Sequence, residues 1–226
     1  FEFFAARGDL PMLRRLADYA IARHDPALTE HDDRYLALLQ AVAERQAALV
    51  AHWMSVGFIH GVMNTDNMTI SGETIGYGPC AFMEHYDPAS VFSSIDTQAR
   101  YAFANQPRIA RWNLARLAET LVPLLDADES RALALATGVI DAFPARFHTH
   151  WLRLMRVKFG LADSDEHADQ ALIDEFLSML HAHKVDYTSA MRRLADAVEG
   201  DDTPLIDLFN DAEAPTQWIA RWRARL

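Results

Sequence analysis

The sequence predicts a mainly α-helical fold carrying one small β-hairpin. Apolar residues recur at helical spacing along most of its 226 residues. The exceptions are two short β-prone runs, Met68-Thr69-Ile70 and Glu73-Thr74-Ile75, joined by Ser71-Gly72. Half of the residues are hydrophobic and 23% are charged, a balance that lets a chain of this length bury a full core.

Each element follows from a local pattern. Asp9 is placed to cap a first helix before Pro11, with Met12, Leu13, Leu16, Tyr19 and Ala20 on one face and an end near His24. Residues 33 to 57 repeat apolar side chains at Tyr35, Leu38, Leu39, Val42, Leu49 and Trp53, which predicts a long amphipathic helix. The hairpin follows. Residues 77 to 107 have no periodicity and contain Pro79, Pro88 and Pro107, so they read as a long loop. From Ile109 helical spacing returns with Trp112, Ala115, Leu117 and Leu121, and further helices are predicted near 128–143, 145–159, 166–183, 188–199 and 215–225. No repeat or low-complexity tract interrupts them.

Composition excludes several classes of function. A net charge of −11 argues against sequence-independent nucleic-acid binding, which depends on basic patches. No apolar run reaches the roughly 18 residues that span a bilayer, so no membrane partner is expected. There is no signal-peptide pattern at the start, and the lone Cys80 suits a reducing compartment, so the expected location is the cytoplasm.

The chemistry-bearing stretch is His60-Gly61-Val62-Met63-Asn64-Thr65-Asp66-Asn67, with Gly76-Tyr77-Gly78-Pro79 beginning nine residues after Asn67. The hairpin would bring that glycine turn back beside Asp66. Helix, polar loop, hairpin and glycine-flanked turn occur in this order in protein kinases, where the loop supplies a base and one metal ligand and the turn supplies the second. In an ordinary kinase four residues separate the catalytic Asp and Asn, whereas Asp66 and Asn67 are adjacent. The string FIHGVMNTDNMTISGETI, the YGPCAFM after Gly76, VFSSID at 91–96 and NQPRIARWNLARLAE at 105–119 together resemble the selenoprotein O family, also called the YdiU family. Weaker resemblance runs from FFAARGD at 3–9 through KFGL at 158–161 to VDYT at 185–188.

The resemblance implies a protein-kinase-like large lobe that transfers AMP, or UMP, from ATP or UTP to Ser, Thr or Tyr hydroxyls of proteins, with Mg²⁺ or Mn²⁺ as cofactor. The nucleotide is then flipped, attack falls on the α-phosphorus, and pyrophosphate leaves. Catalysis at such a centre is mostly positioning and neutralisation of oxygen charge. By the same resemblance Asp66 is the catalytic residue that accepts or orients the hydroxyl proton, and Asn67 is a metal ligand through its amide oxygen. The domain organisation it implies is a large-lobe core at 1–126 and a helical extension packed on it at 127–226.

One position departs from the family pattern, which reads Asp-Tyr-Gly-Pro where this chain reads Gly76-Tyr77-Gly78-Pro79. Glycine cannot ligate, so the second metal ligand is lost and Glu73, Glu84 or Asp87 is not expected to replace it. A phosphate-clamping small lobe is also not legible. It needs a glycine-rich strand pair and a strand lysine, yet the only lysines are Lys158 and Lys184, both in the helical C-terminal half. The chain therefore reads as the large-lobe portion of a longer protein, inactive as it stands. The alternative is a non-catalytic pseudoenzyme or helical protein-binding module.

Other conspicuous residues have plainer readings. His60 is expected to pack and hold the loop. The pairs His148/His150 and His181/His183 point apart on a helix and read as solvated surface rather than metal ligands. Cys80 reads as a small packed residue, with only His85 near enough in sequence to activate it. Trp53, Trp112, Trp151, Trp218 and Trp222 read as core or interface anchors. Arg108 and Arg111 flank the NQP block and read either as substrate contacts or, at least as readily, as members of salt bridges within the lobe.

Overall fold

The computed structural model describes residues 1–161 and 166–226. Its helices are α1 (Glu2–Ala5), α2 (Leu10–His24), α3 (Arg34–Ser55), α4 (Gln106–Leu125), α5 (Glu129–Lys158), α6 (Glu166–His183), α7 (Tyr187–Val198), α8 (Thr203–Ile206) and α9 (Glu213–Arg225). Two short strands, β1 (Phe58–Ile59) and β2 (Ala81–Phe82), pair antiparallel with Phe58 opposite Phe82 and Ile59 opposite Ala81. The mainly helical expectation is met, and helix ends fall within a few residues of the predicted ones.

Three expectations change in detail. The 68–75 hairpin is reduced to a single antiparallel bridge between Met68 and Thr74. Its turn is closed by the Thr69 hydroxyl, which donates to the Glu73 carbonyl and accepts from the Glu73 amide, both at 3.0 Å. The helices predicted on either side of Pro144 are one helix, α5. Proline lacks the N–H that would bond to the Ile140 carbonyl four residues back. Arg111 Nε donates to that carbonyl at 3.1 Å instead, and its terminal nitrogen pairs with Asp141 at 2.6 Å. The buried stripe of α2 is Leu13, Ala17, Ala20 and Ile21, leaving Met12 and Tyr19, seven residues apart, exposed together on one flank of it.

The described residues gather into two compact units interleaved along the chain, so each draws on both sides of residue 126. The first contains residues 1–50, 62–77 and 106–148. Its core is aliphatic and alanine-rich, built on Leu38, Leu39, Val42, Ala43 and Ala47 of α3 and Ile109, Ala110, Leu114, Ala118 and Leu121 of α4. Asp9 caps α2 by accepting from the Met12 amide at 3.2 Å. Trp112 is not part of this core: it is exposed on α4, where the Arg116 guanidinium lies 5.2 Å from its ring centre.

The second unit contains residues 51–61, 78–105 and 149–226. Its core is aromatic. Trp218 lies 4.4 Å from Phe176 and stacks on Trp222 at 5.4 Å, with Phe159 edge-on to both Phe176 and Trp218. The indole N–H groups are satisfied by carbonyls, Trp218 to Leu172 at 2.9 Å and Trp222 to Phe159 at 2.8 Å. Tyr187 is buried with its hydroxyl donating to the Ser55 carbonyl at 3.0 Å. Burial, then the neighbouring Tyr86, holds that hydroxyl far above the ordinary phenol range.

Candidate active site

The Asp66 loop lies wholly in the first unit, and its backbone is held by side chains rather than by a strand ladder. Thr65–Asn67 form one 3₁₀ turn, closed by the Asn67 amide donating to the Asn64 carbonyl at 2.9 Å. Asn67 Nδ2 donates to the Val62 carbonyl at 3.0 Å. From α4, Asn113 Nδ2 donates to the Met63 carbonyl at 2.9 Å. From α3, Gln46 Nε2 reaches the Thr69 carbonyl at 2.5 Å and Arg45 Nε the Ile70 carbonyl at 3.0 Å. Arg45 is itself anchored by a two-pronged pair with Asp25, at 2.6 and 2.9 Å. Carbonyls at 62, 63, 69 and 70 are thereby fixed while Asp66 between them stays exposed.

The bond from Asn67 Nδ2 to Val62 sets which way the amide faces. A Cβ built on Gly76 would lie 2.6 Å from Asn67 Oδ1. Position 76 and the Asn67 amide oxygen are therefore immediate neighbours, as the sequence order suggested. Gly76 has φ +69°, a left-handed backbone that other residues enter only with strain.

The side-chain donor beside position 76 is the Asn67 amide oxygen, and the exposed Asp66 precedes it in sequence. A hard divalent cation binds through oxygens and leans on carboxylates for charge. Glu73 Oε2 accepts from the Ser71 hydroxyl at 2.6 Å within its own turn, and Asp87 Oδ1 accepts from the Ala89 amide at 2.9 Å. Among the described residues no three His, Cys, Asp or Glu side chains converge. The residues present do not fit a divalent cation as a two-ligand protein site, because the place opposite Asn67 Oδ1 has no side chain.

The remaining candidates are structural. His60 is fully buried in the second unit, 5.4 Å from the Trp53 ring. His181 Nδ1 lies 3.2 Å from the Tyr86 carbonyl, and His183 sits edge-on to Phe209. Cys80 is half-buried, Arg108 is exposed, and Arg111 makes the predicted type of ion pair with Asp141.

Gln46 and Asn113 were missed by reading apolar positions alone. Their signal was present: Gln46 falls in phase with Val42, Ala43 and Val50, and Asn113 with Ile109, Ala110 and Leu121. A polar residue on a buried helical stripe has to meet a partner, and here each partner is a loop carbonyl.

The sequence model of the family described as "Protein adenylyltransferase SelO" matches residues 1–226. The chain belongs to the SelO family. A relative from Cereibacter sphaeroides, named "Protein nucleotidyltransferase YdiU", is 59% identical over 226 residues, covering all of this chain and 47% of the relative. Relatives with the same name from Rhizobium rhizogenes and Rhizobium etli are 63% identical over 176 residues and 56% over 229. They are covered to 35% and 45% of their lengths, and they cover 76% and 100% of this SelO chain. The chain thus spans about half the length of the relatives it matches end to end. No helix among the described residues is long and apolar enough to cross a membrane.

Proposed function

We propose that this chain is the kinase-like large-lobe part of a protein adenylyltransferase, disabled for catalysis by Gly76. In the complete enzyme the reaction would move AMP, or UMP, from a nucleotide triphosphate to a Ser, Thr or Tyr hydroxyl of a protein. Asp66 takes the hydroxyl proton or orients it, and its exposure on a fixed loop suits that role. Asn67 would be the residue that holds the nucleotide's metal, through its amide oxygen, in an enzyme that keeps a carboxylate at position 76. Mg²⁺ or Mn²⁺, when bound, would neutralise phosphate charge, and the carboxylate that normally shares it is missing here. Capture of the phosphates by a small lobe falls to residues outside this chain, whose only lysines are Lys158 and Lys184.

The observation that carries the reading is the 2.6 Å approach of a position-76 Cβ to Asn67 Oδ1. Two residues nine apart in sequence meet where a two-ligand metal site would require them. The same observation favours a second reading, a non-catalytic module, because the pair is left with a single ligand.

Calorimetric titration of ATP with Mn²⁺ into this chain and into its Gly76→Asp variant, each beside a metal-free control, separates them. Metal-dependent binding by the variant alone is the expected result. Binding by the unmodified chain would overturn the disabling role of Gly76. Binding by neither would overturn the assignment of the metal-nucleotide site to this loop and leave the module reading.

A further inference from the structure

A second stripe runs along α2 beside the one it buries. Met12, Leu16, Tyr19 and Arg23 recur at intervals of four, three and four residues, which sets them in one row along about 16 Å of the helix. Leu16 is half-buried at the edge of the core, whereas Met12 is 36% exposed, Tyr19 is 62% exposed, and Arg23 is exposed. Arg15 stands next to the row on its solvent side.

The charges of this face are uneven. The acids on and beside the helix are all engaged: Asp9 accepts from the Met12 amide at 3.2 Å, and Asp18 accepts from Arg34 Nε at 3.1 Å and the Tyr35 hydroxyl at 2.9 Å. Asp25 holds its two-pronged pair with Arg45. Arg15 and Arg23 have no carboxylate partner among the described residues. Other surface arginines do find one, as Arg131 does with Asp126, Arg193 with Asp196 and Arg221 with Glu175. In a chain of net charge −11, two unpaired guanidinium groups on one helix face make a local basic site.

Spacing and charge together define what fits. Alternating steps of three and four residues form the seam into which a second helix packs, and Tyr, Met and Arg are residue types enriched in interface cores. An apolar row flanked by unpaired arginines matches an amphipathic helix whose own row is apolar and whose flanks carry Asp or Glu. A lipid surface fits less well, because the row is a single side chain wide and the net charge of −11 repels anionic headgroups.

We propose that this face of α2 docks an acidic amphipathic helix of a partner protein. Met12 and Tyr19 meet its apolar side chains, and Arg15 and Arg23 pair with its carboxylates. The assignment goes beyond the reading of the Asp66 loop and holds whether or not that loop is catalytic.

The test uses this chain and three fluorescently labelled peptides of about three heptads, with leucine along one face and glutamate, lysine or serine elsewhere. Anisotropy gives the affinities, and ¹⁵N amide shifts locate the site. The glutamate peptide is expected to bind with shifts centred on residues 12–23, at least about tenfold more tightly than the lysine and serine peptides. Tyr19→Ala should weaken it about tenfold, and Arg15→Glu with Arg23→Glu should reverse the preference so that the lysine peptide binds more tightly. Circular dichroism checks that each variant folds; should the double reversal not fold, Arg15→Gln with Arg23→Gln should abolish the preference instead. Equal binding of the three peptides, no binding of the glutamate peptide, shifts centred elsewhere, or a preference unaltered in a folded arginine variant would each overturn the proposal. Shifts at residues 12–23 caused by phosphatidylserine vesicles and not by the glutamate peptide would overturn it too, and would assign the face to a lipid surface.

Discussion

The two compact units are held together by different means. In the second, large rings fill the interior and their few polar atoms are spent internally, as in Trp218 to Leu172 and Trp222 to Phe159. In the first, small aliphatic residues leave room for buried amides, and Gln46 and Asn113 reach out of helices to hold a loop. Rings maximise buried apolar area, whereas amides fix backbone position at a smaller net gain. The unit that must hold Asp66 in place uses the second device.

The contrast predicts a graded series of stability losses, measurable by denaturant unfolding. Trp218→Ala should cost the most, about 3–5 kcal/mol, by opening a cavity among Phe159, Phe176 and Trp222. Asn113→Ala should cost about 1–3 kcal/mol by stranding the Met63 carbonyl. It should also raise amide hydrogen exchange at residues 62–67, a local effect that Trp218→Ala should not share. If both variants loosen that loop equally, the division of labour between the units fails.

The turn at position 76 gives a finer comparison inside the first unit. Gly8 and Gly76 have similar left-handed backbones, φ +65° and +69°, but a Cβ on Gly8 meets nothing within 4 Å. Gly8→Ala should cost the backbone strain alone, about 1–2 kcal/mol. Gly76→Ala should cost more than Gly8→Ala, because its methyl group falls on Asn67 Oδ1. Equal losses would mean that the Asn67 side chain moves aside freely. The smallest effect belongs to the surface: Asp9→Ala removes the α2 cap for about 1 kcal/mol and should leave exchange in the loop unchanged.

Much of this was legible in the sequence. The Asp9 cap, the long α3, and α6 at 166–183 follow from periodicity and capping chemistry that act within a few residues. The return of the Gly76 turn to the catalytic loop was also readable, beside Asp66 by the sequence and against its neighbour Asn67 in the structure, because a short turn joins them. What was not readable depends on contacts distant in sequence. Continuity of α5 through Pro144 relies on Arg111, which meets the Ile140 carbonyl 29 residues away. The stripe of α4 was mis-phased toward Trp112 because Gln106 and Asn113, its polar members, look like surface until their partners are known. The β1–β2 pair is two residues per strand, too short for alternation to register.

The left-handed turn at Gly76 works like a ratchet. With glycine at position 76 the backbone rests in a basin that other residues enter only with strain, and a side chain there would start on the Asn67 oxygen. An aspartate placed at 76 has to turn the backbone out of that basin or push Asn67 off the line set by Val62. Second-site changes that relax residues 74–78 would therefore lower the stability cost of Gly76→Asp.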